Sequence, residues 1–257
     1  MNSYPIPETI ENHAVVSNER WIAARKELLK KEKELTRLRD EISFDRRQLP
    51  WERVEKNYVF QGPNGPETLA SLFEGRSQLF VQHFMLGPGW EEGCKGCSFW
   101  ADHHDAANLH LANHDVTLVA ISRGTWWDIE RFKTRMDWKF KWVSSNESDF
   151  NYDFHVSFSE DQMTRGDVYY NYEQLEDGSG CEELPGFSIF YRNATGGIFH
   201  TYSGYGRAGD ILIGAYNYLD HTPKGRNERR TMDWVRHHDS YKRQSATSRT
   251  SDPVLTS

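Results

Sequence analysis

Residues 77–104 read "SQLFVQHFMLGPGWEEGCKGCSFWADHH". An apolar run of strand length, 77–86, enters a loop opened by Gly-Pro-Gly, and helical character resumes over 97–114. Where loop gives way to helix stand Cys94 and Cys97, in a C-x-x-C. Such a pair is a redox dithiol, half of a zinc site, or two buried thiols. The chain has 3 cysteines in 257 residues, too few for a secreted-type disulfide framework. The opening "MNSYPIPETIENHAVV" lacks the charged-then-apolar pattern of a signal peptide, and no run of about 18 apolar residues occurs. The expectation is a cytoplasmic protein without a membrane partner, in which a close cysteine pair is catalytic or metal-binding.

Outward from this stretch the text alternates. "DVTLVAISR" (115–123) reads as a second buried strand and "WWDIERFKTRMDW" (126–138) as an amphipathic helix. Strand, cysteine loop, helix, strand, helix is the order of a parallel α/β unit. Upstream, "KNYVF" and "QGPNG" give a short strand and turn, and "ETLASLFEG" a short helix ended by Gly75. Residues 17–45 read as one long helix capped by Ser17 or Asn18, with Trp21, Leu28, Leu35 and Ile42 seven apart and Leu38 beside them. Its other faces are charged, so it is a solvated helix laid on the domain or an arm for a homodimer. Pro50 stops it. Downstream, 144–182 reads as an insertion or long loop and "PGFSIFYRNATGGIFHTYSGYG" as a hairpin. "GRAGDILIGAYNYLD" reads as a closing helix, and 223–257, basic and then Ser/Thr-rich, as a disordered tail. The division is an N-terminal segment (1–50), a domain (51–222) and the tail.

With 37% hydrophobic and 14% aromatic residues the chain can build a core, and a formal charge of -7 argues against a nucleic-acid partner.

The segments "ARKELLKKEKELTRLRDE", "LPWERVEKNYVF", "QHFMLGPGWEEGCKGCSFWAD", "VTLVAISR", "WVSSNESDFNYDF", "FHTYSGYGRAGD" and "YNYLDHTPKGRNE" follow one another over about residues 13–230. In that order they resemble the domain-of-unknown-function-899 family (DUF899) of the thioredoxin-like superfamily, described as dithiol-disulfide oxidoreductases. The resemblance implies an α/β, thioredoxin-like (peroxiredoxin-like) fold, a central mixed sheet flanked by helices, preceded by the long helix. It implies Cys94 as nucleophile and Cys97 as resolving thiol. It also places Pro185, in "ELPGF", where such proteins carry a cis-proline facing the dithiol. The Lys-Gly between the cysteines departs from the Gly-Pro of thioredoxin and the Pro-Ser expected of the family, so a redox poise does not carry over.

In chemical terms, a thiolate at the first turn of a helix is stabilised by unpaired backbone N–H groups. Lys95 should lower the Cys94 pKa, and Glu91 and Glu92 should raise it. Such a dithiol needs no cofactor beyond its own disulfide and takes a thiol or disulfide substrate. Peroxide reduction is the neighbouring chemistry. It usually sets Thr or Ser three residues before the reactive cysteine, where this chain has Glu91, and an arginine nearby, for which Arg123 is the candidate; Arg123 is otherwise a surface or salt-bridged residue.

The metal alternative joins Cys94 and Cys97 to His83 or His200, a set suited to copper or zinc. His103, His110 and His114, at offsets of seven and four, form a weaker set on one helix face. A third class keeps the fold for another chemistry or for protein interaction and makes the cysteines incidental. Trp90 and Trp100 flank the dithiol and are expected at the site. Cys181 lies near it or is an inert loop thiol.

Overall fold

The computed structural model describes residues 13–175, 178 and 180–241. Its first element, α1 (Asn18–Gln48), starts where the Ser17 hydroxyl accepts the Arg20 N–H and ends at Leu49, held extended before Pro50. Arg46 and Arg47 in the last turn suit the negative helix end. The helix buries none of its 31 residues, though Arg46 reaches over the Tyr202 ring of the domain.

The domain is one eight-stranded mixed sheet. In chain order its strands are β1 (Glu52–Arg53), β2 (Val59–Gly62), β3 (Gly65–Thr68), β4 (Gln78–His83), β5 (Val116–Ser122) and β6 (Lys141–Ser144). A separate hairpin of β7 (Tyr169–Tyr170) and β8 (Glu173–Gln174) follows, then β9 (Gly186–Arg192) and β10 (Ile198–Tyr205) return to the sheet. The spatial order is β1-β10-β9-β4-β5-β6-β2-β3. β4, β5 and β6 run parallel, and the other pairings are antiparallel. The central mixed sheet with flanking helices expected above, preceded by the long helix, is the fold of this chain.

Side chains alternate across the pleat. Leu79 and Val81 of β4 enter a core with Phe60, Phe73 and Phe150, and His83 shares that face, its ring beside Phe150 and Phe154. Phe80, Gln82 and Phe84 face the other way, toward α2 (Lys95–Ala101), α3 (His104–Ala112) and α4 (Trp126–Arg135). Thr125 caps α4 by accepting the Asp128 N–H.

Several expectations need correction. "ETLASLFEG" is the end of β3 followed by a single 3-10 turn, Ser71–Phe73. The 144–182 stretch holds α5 (Phe150–Asp153), α6 (Glu160–Arg165) and the β7–β8 hairpin, and a bridge from Ser157 to Glu183 ties it to the domain. "GRAGDILIGAYNYLD" is a 3-10 segment, Gly206–Leu212, then α7 (Gly214–Leu219). Residues 223–241 are packed, with Val235 and His237 buried and Trp234 edge-on to Phe99. Residues 242–257 of the expected tail lie outside the described residues. No helix among those described is long and apolar enough to cross a membrane.

Candidate functional site

β4 delivers the chain to the cysteines through a loop fastened at both ends. Phe84 N donates to Ile121 O, and Cys94 N donates to Met85 O at 3.0 Å. Gly93 is required there, because a Cβ would stand 2.6 Å from Phe84 and 2.7 Å from Phe132. Cys94 is the N-cap of α2 with an extended backbone (φ -55°, ψ 132°), and its carbonyl accepts both the N–H and the hydroxyl of Ser98. From the sheet, Gln82 Nε2 donates to Cys97 O at 3.3 Å, while its Oε1 accepts from His104 Nε2 at 2.7 Å. Burial holds His104 neutral by lowering its pKa to about 3. Two buried polar side chains thereby pin α2 to β4.

Cys94 and Cys97 lie 3.9 Å apart and are not bonded to each other. Cys94 is half-buried, and Cys97 is buried. Their thiols are driven apart in acidity. The Cys97 thiol donates toward the Cys94 sulfur, the Cys97 and Gly96 N–H groups add to it and Lys95 contributes its charge; against the opposing effect of burial, these lower Cys94 to about 6. Cys97 is pushed well above its ordinary value by its bond to Cys94, by burial and by the charges of Cys94 and Glu183; Met85 N–H, 3.5 Å from its sulfur, acts in the other direction. Cys94 is thus the more acidic thiol of the two, and Cys97 the one that keeps its proton more tightly. Glu92, expected to oppose ionisation, is tied up by Arg135 and so is kept below the usual carboxylate range.

A cavity of about 130 Å³ opens beside the pair, and Trp100, Pro185, Phe187, Ile213 and Met232 line it. Trp100, which follows the pair in sequence, is one of these lining residues. Trp90 does not line this cavity; its indole donates to Glu182 at 3.2 Å. Pro185 lines the cavity together with the cysteines, and no peptide bond among the described residues is cis. Cys181 is not part of the lining.

Arg123 is neither a surface residue nor a peroxide ligand in waiting. It is buried, with Nε donating to Glu183 at 2.6 Å, Nη2 to Glu182 at 3.2 Å and Nη1 to the Tyr152 hydroxyl, so its guanidinium is consumed by structural bonds.

The proposed metal ligands do not converge. His83 is on the sheet face opposite α2, its Nε2 2.7 Å from Ser188 Oγ. Ser188 Oγ continues to Ser203 Oγ and this to His200 Nε2, each at 2.7 Å. Burial lowers His83 to about 3 and His200 less far. His103, His110 and His114 line one cavity along α3, with His103 as the N-cap of that helix. The His103 ring is bonded to Phe99 O and Ala215 N, while His110 and His114 are exposed. Among the described residues no group of three or more His, Cys, Asp or Glu is placed to hold a metal ion.

The C-terminal segment, read as tail, supplies residues that sequence reasoning missed. His237, buried, has Nε2 2.9 Å from the carbonyl of Gly93, the residue before Cys94. Arg135 clamps the segment through Asp239 at 2.7 Å, and His238 bonds Asp102 at 2.6 Å. Glu228 accepts from Met232 N at 2.9 Å and from the Tyr216 hydroxyl at 2.9 Å. Met232 has φ 62°, and its sulfur stands 2.8 Å from where a Cβ on Gly96 would lie. The available signal was Met232, Trp234 and Val235, apolar residues closely spaced in an otherwise basic stretch.

No curated protein matches the chain. Among solved structures it is similar to the peroxidoxin BcpB from Mycobacterium tuberculosis (11% identity, 64% of this chain and 93% of that chain, TM-score 0.43). It is also similar to a PrxQ mutant from Xylella fastidiosa (10%, 65% and 94%, TM-score 0.42) and to peroxiredoxin Q from Xanthomonas campestris (13%, 61% and 87%, TM-score 0.41). The model of a family described as "Bacterial protein of unknown function (DUF899)" matches residues 10–241, nearly the whole of the chain, which belongs to that family.

Proposed function

We propose that this chain is a dithiol-disulfide oxidoreductase, with Cys94 as the attacking thiolate and Cys97 as the resolving thiol. The observation that carries the reading is the pair itself, two unbonded cysteines 3.9 Å apart, one half-buried and more acidic, the other buried and less acidic. In the first step the Cys94 thiolate attacks one sulfur of a disulfide R–S–S–R′. The S–S bond breaks, R–S⁻ leaves and takes a proton from solvent, and Cys94 carries R′ as a mixed disulfide. That step removes the Cys94 negative charge, one of the causes holding the Cys97 proton. Cys97 then loses its proton and attacks Cys94 Sγ, expelling R′–S⁻ and closing the Cys94–Cys97 disulfide. Two electrons pass from the dithiol to the substrate, and an external thiol must return them.

Cys94→Ser is expected to abolish disulfide reduction. Cys97→Ser is expected to stop at the mixed disulfide, seen by intact-protein mass spectrometry as the added mass of R′. If both variants reduced disulfides as fast as the unaltered protein, the reading would be wrong.

A second copy of the chain belongs to the same proposal. α1 leaves Trp21, Leu28, Leu35, Leu38 and Ile42 exposed, and a helix in water owes most of its stability to packing of its apolar stripe. A copy lying along that stripe would cover it. Analytical ultracentrifugation is expected to show a dimer that Leu28→Glu with Leu35→Glu converts to monomer, with the domain still folded by circular dichroism. A monomer at micromolar concentration before any substitution overturns the assignment.

A further inference from the structure

We propose that the substrate of this dithiol is a small disulfide with compact apolar arms, and that Met232 sets the size limit. The inference rests on the oxidoreductase reading and names the substrate class it serves.

Two features of the site favour a compact partner. The first is volume. The cavity beside Cys94 and Cys97 is small, about 130 Å³, and partly open. An ethylthio arm seats against its walls. Most of a glutathionyl arm, a tripeptide with two carboxylates and an ammonium, would lie outside it and gain nothing from them. The walls are Trp100, Pro185, Phe187, Ile213 and Met232 with glycine backbone. Asp210, the one charged residue of the lining, has its carboxylate bonded to Arg207 and Arg226 at 3.0 Å each.

The second feature is the backbone facing the dithiol. A protein disulfide presented on an extended segment is commonly held by main-chain hydrogen bonds to an open strand edge. Here the residues around Pro185 are already paired. Leu184 N donates to Val156 O at 2.9 Å, and Pro185 O accepts from the Tyr170 hydroxyl at 2.5 Å and from Gly206 N at 3.4 Å. Gly186 is flanked by β4 on one side and β10 on the other. Among the described residues, Leu184 N, Pro185 O and the Gly186 strand are thus already engaged within the protein.

Met232 is the wall that can be changed without disturbing the dithiol. Its backbone is left-handed at φ 62°, a conformation that glycine adopts without strain. Met232→Gly thus removes the thioether while suiting the main chain, and Met232→Leu keeps the wall.

The test follows stoichiometric closure of the pre-reduced protein, in which one disulfide R–S–S–R plus two protein thiols yields the Cys94–Cys97 disulfide and two R–SH. Rates with diethyl disulfide and with glutathione disulfide are each divided by the rate of the same compound with free dithiothreitol, which removes differences in leaving-group acidity. The normalised rate is expected to favour diethyl disulfide by at least about tenfold, the order of discrimination a shaped apolar pocket gives. Met232→Leu should keep this preference and Met232→Gly should reduce it several-fold. Equal normalised rates in the unaltered protein, or a preference unmoved by Met232→Gly, would overturn the inference. Should neither compound close the pair while iodoacetamide still modifies Cys94, the oxidoreductase reading itself fails, and the substrate class falls with it.

Discussion

In Cys97→Ala protein, alkylation of Cys94 by iodoacetamide is expected to have a pH midpoint well above that of the unaltered chain. The bond from the Cys97 thiol is the largest of the influences that lower Cys94 to about 6, and alanine deletes it. The backbone N–H groups of Gly96 and residue 97 and the charge of Lys95 remain, so the midpoint should settle between 6 and the ordinary cysteine value of about 8.5. The direction follows from the reacting species. Below the midpoint the thiol is protonated and the rate falls; above it the rate reaches a plateau. At pH 7 each unit by which the midpoint passes 7 removes about tenfold of the thiolate, offset in part because a more basic thiolate is the better nucleophile. Cys97→Ser, which keeps a hydroxyl donor, should shift the midpoint less. Mass spectrometry of the Cys94 peptide separates this reaction from that of Cys181. A midpoint unchanged in Cys97→Ala would mean that the helix turn alone makes the thiolate.

Replacing Arg123 by methionine is expected to destabilise the fold by about 3–5 kcal/mol, the cost of leaving one partner of a buried ion pair alone. Glu183 is 1% exposed and keeps only the Ser157 hydroxyl, at 2.6 Å, once Arg123 is gone. Burial already raises the Glu183 pKa against the pull of Arg123, so the substitution raises it further. A carboxyl whose folded pKa lies above its unfolded value binds its proton more tightly in the folded state. The stability deficit must therefore grow as pH rises through the folded pKa. Urea unfolding at pH 5 and pH 8 should show the larger loss at pH 8, and Glu183→Gln in the Arg123→Met background should recover part of it. A deficit independent of pH would place the cost in lost packing around Tyr152 instead of in the stranded carboxylate.

Local patterns carried most of the architecture. β4 and β5 are near-continuous apolar runs because both faces of a central strand are covered, and α1 and α4 announce themselves by a polar cap and a helical period. β6 was not legible because it is only four residues long, Lys141–Ser144. The break between α2 and α3 was also hidden, since "ADHH" has no proline or glycine to mark it. That break makes His103 the N-cap of α3.

The site divides in the same way. Cys94, Cys97 and the glycine that admits them are a local motif, set by the chemistry of a helix start, and sequence order alone places them after a buried strand. Which residues meet them is a matter of the other strands and of the chain's end. The face of β4 on which His83 falls follows from the parity of the pleat, which turns His83 away from the pair and Gln82 toward it. Met232 and His237 come to the dithiol across more than 130 residues, held by Arg135, Glu228 and Asp102. The sequence by itself thus determined the cysteine pair at the start of a helix, because its geometry needs only neighbouring residues. Tertiary structure decided the acidity, the walls and the absence of a metal cluster among the described residues, because burial and hydrogen-bond partners come from segments that chain order does not bring together.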